Sequence, residues 1–200
     1  SNTPVTAILQ PLIHEHDAGI VLVAALLGGC GVWVTTELFN RFLISPPKDR
    51  ARWLLKASLI AGATIWCTHF ITMLGYRPGV AVGFSLSLTA LSLLLALAGS
   101  LCSLTIARRR WTRIPVRLLG GTLMGLNITA VHYVGIMAYH VQGSMAWSVP
   151  CLVLSIVLAM ALAAGAFLAG GAADRPIHHA GVMHALLLLA ILSPHFTGLL

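Results

Sequence analysis

Residues 57–76 read ASLIAGATIWCTHFITMLGY, twenty positions with no Asp, Glu, Lys or Arg and with one His, at 69. An α-helix crosses the hydrocarbon core of a bilayer in about 20 apolar residues, so this stretch predicts a membrane span. Charge-free runs of the same kind lie at 18–36, 80–107, 118–139, 149–171 and 179–200. None alternates with period two, and Leu and Ala dominate over β-branched residues, which excludes membrane strands. The chain as a whole is 58% hydrophobic and 8% charged, against about 25% charged in soluble domains. Its mean hydropathy is +0.92. The expected class is therefore all-α: a polytopic transmembrane helix bundle of six spans, forming one integral membrane domain over residues 1–200. The Gly-rich first and fifth runs (Gly28, Gly29, Gly31; Gly165, Gly170, Gly171) predict close helix packing.

The net charge of +7 does not imply a nucleic-acid partner, because in a membrane protein the placement of charge outweighs its sum. Arg41, Lys48, Arg50, Arg52 and Lys56 follow the first run; Arg108, Arg109, Arg110, Arg113 and Arg117 follow the third; Arg175 follows the fifth. These fall on one side of the membrane, and Arg77 stands alone on the other. Basic loops face the cytoplasm, so the N-terminus is expected outside. Residues 1–10 lack the basic region of a secretory signal, so the first run is expected to remain as an anchor. Cys30, Cys67, Cys102 and Cys151 form no CxxC pair and read as small apolar residues rather than a disulfide framework.

Nine His exceed the Asp and Glu together in a chain that otherwise avoids polar groups. Three of them recur in register: HFITML at 69–74, HYVGIM at 132–137 and HFTGLL at 195–200, spaced 63 residues apart both times. Each His is followed by an aromatic residue and sits in the outer third of an even-numbered span. A period of 63 holds two spans and their loops, so the bundle is expected to consist of three parallel two-helix repeats. Parallel repeats arranged about the membrane normal would turn His69, His132 and His195 toward one centre. The plain alternative for each His taken singly is an interfacial side chain that reaches water. Three at one depth argue against it, because an ionisable group in the apolar zone costs about 2 to 3 kcal/mol and by default marks a functional site.

Neutral imidazole is the commonest metal ligand, so a metal ion is the economical explanation of the trio. Met73, four residues after His69, shares its helix face. Imidazole with thioether favours copper, particularly Cu(I), and zinc is the second choice. His14 and His16, ahead of the first span and on the same predicted side, are further candidate ligands. Asp17 beside them reads as a helix cap. Met137, five residues after His132, is rotated away and is the weaker thioether. His140, His178, His179 and His184 read as interfacial.

On these His-aromatic motifs the chain resembles the MHYT domain, a bacterial integral-membrane sensor module named for a Met-His-Tyr-Thr motif repeated at three outer helix ends. The likeness covers essentially all 200 residues, and HDAGIVLVAALLGGCGVW from His16 also looks like the family's first span. The residues before each motif His are Thr68, Val131 and Pro194 rather than Met; two positions after it stand Ile71, Val134 and Thr197. A Met four after the His survives as Met73 and becomes Ile136 and Leu199 in the other copies. The imidazoles are thus kept where most thioethers are not. Pro194 is expected to bend the sixth helix. The resemblance implies a multi-pass protein of the bacterial inner membrane with a periplasmic or extracellular N-terminus. It also implies copper at the motif His and a diatomic gas (O2, CO or NO) sensed through it. Family members carry seven spans and a cytoplasmic signalling output domain, so this chain is expected to be a fragment or a reduced form.

The leading expectation is a metal-dependent sensor. A membrane cytochrome with two axial His is the second class, and a copper transport or delivery protein the third. An enzyme has least support, since Glu37, Asp174 and Asp17 lie at the boundaries and no nucleophile has a base at helical spacing.

Overall fold

The computed structural model describes residues 17–75, 82–141, 148–170 and 176–197. Six helices are present among them: α1 (Ala18–Ile44), α2 (Pro47–Gly75), α3 (Leu86–Arg109), α4 (Ile114–Ala138), α5 (Val149–Gly170) and α6 (Pro176–Thr197). Each is long and apolar enough to cross a membrane, α6 over Ala180–Thr197. The class expected from sequence is therefore met. The helices nevertheless extend beyond the charge-free runs, because basic residues at the charged end continue the helical turn: α1 runs to Ile44 and α2 begins at Pro47.

Helix starts follow local chemistry. Asp17 caps α1 as expected, its Oδ1 accepting from the Gly19 and Ile20 amides at 3.0 and 3.3 Å. Pro47 and Pro176 open α2 and α6, and Pro115 and Pro150 lie in the first turns of α4 and α5. Proline is tolerated there because the first-turn amides have no intrahelical acceptor. The third charge-free run is corrected at its start. Val82–Phe84 is a strand (β1), paired antiparallel with Tyr139–Val141 (β2) in the register Val82↔Val141, Gly83↔His140 and Phe84↔Tyr139. The Ser85 amide extends this pairing to the Ala138 carbonyl at 2.8 Å. These two strands bridge the segments after α2 and α4 at one end of the bundle.

Each helix packs on the next in sequence, and α6 packs back on α1, closing a ring. The even helices α2, α4 and α6 also touch one another across its centre. That arrangement decides which faces are dry. Glycines of the even helices make the closest approaches to a neighbouring helix's backbone. A Cβ on Gly62 would stand 2.7 Å from the Ala96 carbonyl oxygen of α3, and one on Gly125 would stand 2.4 Å from the Met160 Cα of α5. By contrast, Gly29 and Gly165 meet neighbours only at ordinary contact distances of 3.9 and 3.6 Å. Of the Gly-rich first run, Gly28 and Gly31 do pack closely, against Thr68 and Thr64.

Several polar side chains find partners across helix interfaces, the contacts a membrane interior favours. Trp66 Nε1 donates to Ser92 Oγ at 3.1 Å, Asn127 Nδ2 donates to the Ala96 carbonyl and to Ser100 Oγ at 3.3 Å, and Ser103 Oγ donates to the Gly120 carbonyl at 2.7 Å. At the basic end, Arg117 is 7% exposed and donates to the Leu168 carbonyl near the C-terminus of α5 at 3.1 Å. It is a buried helix-end cation as well as part of the charge asymmetry. Gly125→Leu is expected to force α4 from α5 and to lower the thermal midpoint in detergent sharply or abolish monodisperse protein. Gly165→Ala should leave the midpoint within a few degrees, and thermal unfolding followed by circular dichroism distinguishes the two.

Candidate metal centre

His69, His132 and His195 stand near the C-terminal ends of α2, α4 and α6, at the opposite end of the bundle from the arginine clusters. The even helices run the same way and touch at the centre, so residues in the same register meet there. All three rings are buried. Ring centroids are separated by 5.0 Å (His69 to His132), 6.0 Å (His132 to His195) and 6.5 Å (His69 to His195). The Nδ1 atoms of His69 and His132 lie 3.3 Å apart. One ring nitrogen from each His can be chosen so that all three fall within 4.8 Å of one another. Among the described residues this is the one group of three or more His, Cys, Asp or Glu with such geometry.

The trio fits a metal ion on two grounds. Around a tetrahedral ion with bonds of about 2.0 Å, ligand nitrogens sit about 3.3 Å apart, so modest ring rotation closes the set. The buried Nε2 atoms of His69 and His132 have no hydrogen-bond partner within the protein. An unsatisfied buried polar atom costs about 1–3 kcal/mol, a cost that an ion bound through Nε2 would remove. The aromatic residue that follows each His stands edge-on to it: Phe70 at 5.0 Å, Tyr133 at 5.0 Å and Phe196 at 5.4 Å between centroids. The Tyr133 hydroxyl is hydrogen-bonded to Ser155 Oγ on α5. The motif aromatics thus brace the imidazoles from the side.

The other expected ligands divide. Met73 is buried on α2, one turn past His69. His14 and His16 lie outside the described residues. Met137 is 52% exposed, in keeping with its rotated position, and His140 is exposed on β2 with its Nδ1 3.0 Å from the Ala138 carbonyl. α6 continues through the buried Pro194. Gly135 is a site residue that sequence reading passed over. A Cβ there would stand 2.2 Å from His69 Nε2, so the absence of a side chain on α4 makes the space for the α2 imidazole. Its signal was available: three residues after each motif His the chain carries Thr72, Gly135 and Gly198, all small.

Three buried imidazoles thus converge at one end of a bundle of six helices, each long and apolar enough to cross a membrane. The chain belongs to the MHYT family, the "bacterial signalling protein N terminal repeat", whose profile matches residues 62–121 and 125–182. The two matches begin 63 residues apart, the spacing of the His motifs. The chain is 36% identical over 194 residues to an "Uncharacterized signaling protein" of Caulobacter vibrioides, covering 96% of this chain and 24% of that protein. It is 32% identical over 190 residues to the cyclic di-GMP phosphodiesterase NbdA of Pseudomonas aeruginosa, covering 92% and 24% respectively. It is 30% identical over 160 residues to the bifunctional diguanylate cyclase/cyclic di-GMP phosphodiesterase MucR of the same species, covering 78% and 23%. The chain thus spans about a quarter of the length of these relatives. No solved structure matches it.

Gly135→Leu is expected to push the His69 ring from its place and to lower bound metal per chain by an order of magnitude or more. Unchanged helicity with lost metal, by circular dichroism and elemental analysis of the same sample, is the expected pair of results.

Proposed function

We propose that this chain is the membrane-embedded sensing domain of a bacterial signalling protein and that it holds one metal ion, copper first and zinc second, between His69, His132 and His195. The observation that carries this reading is the convergence of three buried imidazoles whose nitrogens lie within 4.8 Å of one another. Met73 is the candidate fourth ligand, and His14 and His16 are candidates for closing the site from outside. The reading takes the bundle as three parallel two-helix repeats with the N-terminus outside, in the bacterial cytoplasmic membrane. Its support is the 63-residue register of the His motifs and the gathering of basic residues at the other end of the helices.

A bound copper ion supplies a coordination position for a diatomic gas, O2, CO or NO. The protein's part is to keep three neutral donors in a dry site. The even helices hold the imidazoles at one level, the motif aromatics brace them, and Gly135 leaves room for the His69 ring. Because all three donors come from different helices, binding that draws them together acts on the contacts among α2, α4 and α6. A signal then requires ligand affinity to differ between two packings of the bundle, typically by 1–3 kcal/mol, or about 5- to 150-fold.

The signal is read by a cytoplasmic output domain of the full-length protein. Two of the relatives are named for making or breaking cyclic di-GMP, and the matched region is about a quarter of each. We therefore take this region as a non-catalytic module that controls such an activity. Purified chain is expected to carry about one copper or zinc per chain, removable by chelator. Replacing His69, His132 and His195 together by Ala should bring metal to background, while His140→Ala should not. Metal content by elemental analysis checks both, and equal metal in the triple variant refutes the site. A Soret band in the purified protein would favour the haem reading instead, and copper uptake into proteoliposomes the transport reading.

A further inference from the structure

The 63-residue register does not stop at the imidazoles. Four residues before them on the same helices stand Ile65, Ile128 and Ile191, and four before those stand Ala61, Met124 and Leu187. All six line one cavity of about 40 Å³ between the helices. Four residues of helix are about 6 Å of rise, so the isoleucines form a layer one turn beneath the His trio, toward the basic end. The other helices complete the wall, with Val32 and Thr35 of α1, Leu104 of α3 and Phe167 of α5 among the contributors. Trp111 also lines the cavity, and its edge-on contacts with Phe39 and Phe167, centroids 5.0 and 5.7 Å apart, pack the wall at the basic end.

Size and chemistry restrict what this chamber accepts. One water needs about 10–15 Å³ by the same measure, so there is room for a guest of a few heavy atoms. A buried water also needs two to four polar partners. The chamber offers three threonine hydroxyls, all on the α1 and α2 wall. Thr36 Oγ1 and Thr64 Oγ1 already donate to the carbonyls of Val32 and Ile60, at 2.9 and 2.7 Å, and Thr35 Oγ1 has no partner. The facing walls of α3 to α6 are Leu, Met, Ile and Phe, with the Trp111 indole between α3 and α4 as the one further polar side chain. With its polar groups confined to one side and most of the wall apolar, the chamber favours xenon or a small apolar molecule over water.

We propose that this chamber is a second binding site, distinct from the imidazole cluster, for an apolar molecule of diatomic size. Every helix of the ring contributes to its wall, so a guest there contacts the whole bundle and sits one turn beneath the imidazoles. The site does not depend on a metal ion, and its test needs none.

The probe is xenon, applied under pressure to crystals of the full chain grown from lipid, both as purified and after chelator treatment. The expected result is an anomalous peak enclosed by Ile65, Ile128 and Ile191 in both. Ala61→Leu, which grows a side chain into the chamber, is expected to remove the peak while bound metal stays as in the unaltered chain. Ile128→Val, which enlarges the chamber, should retain or strengthen it. Xenon found only at the lipid-facing surface, ordered water in place of xenon, or an undiminished peak in Ala61→Leu would each overturn the proposal. None of these outcomes bears on the metal content, so the chamber and the metal centre stand or fall separately.

Discussion

The interaction on which the rest depends is the meeting of three imidazole rings inside a bilayer-spanning bundle. A polar ring in hydrocarbon is tolerated when other groups satisfy it, and here the rings face one another rather than water or carboxylates. That requirement explains the ring of helices. Only an arrangement with α2, α4 and α6 in mutual contact brings residues from three separate hairpins to one level. The odd helices then fill the gaps outside and take the greater share of the lipid contact, as the exposed Leu22, Leu26, Leu94 and Leu154 illustrate.

Close approach at the centre has to be made possible by small residues. Gly62 and Gly125 let α2 and α4 meet the backbones of α3 and α5, and Gly135 leaves room for the His69 ring. The same packing closes the polar groups in pairs, Asn127 with Ser100 and Ala96, Trp66 with Ser92. Without water to compete, these contacts hold the helices at a set rotation, and rotation is what aims an imidazole inward instead of into lipid. The charged end is organised by different chemistry. Arg117 satisfies a carbonyl of α5, and Trp53 is flanked by the cations of Arg41, Arg52 and Lys56 at 4.8 to 5.7 Å from its ring.

Much of this was legible from residue order. Spans follow from uninterrupted apolar length, and the cap at Asp17 from a short acidic side chain before an apolar run. The His trio follows from a period that matches one helical hairpin. Other features were not legible. Residues 82–84 belong to a charge-free run and were read as helix, yet they pair with 139–141. Pairing between strands 57 residues apart leaves no local mark, and Val and Phe serve either structure. Close packing was expected of the runs richest in glycine, and Gly28, Gly31 and Gly170 meet it while Gly29 and Gly165 do not, because crowding depends on what lies opposite. Gly165 has only a leucine methyl at 3.6 Å where Gly125 has a backbone.

The division between the two levels has a physical basis. Apolar length, charge bias and repeat spacing are properties of the chain read along its axis, so they establish six spans, the basic end and three histidines in equal register before any packing is known. Distances between helices are properties of side chains that meet across a gap, and no periodicity encodes them. That imidazole nitrogens from three helices come within 4.8 Å of one another, that Gly135 makes the room, and that an isoleucine layer beneath them lines a cavity were decided when six helices closed into a ring.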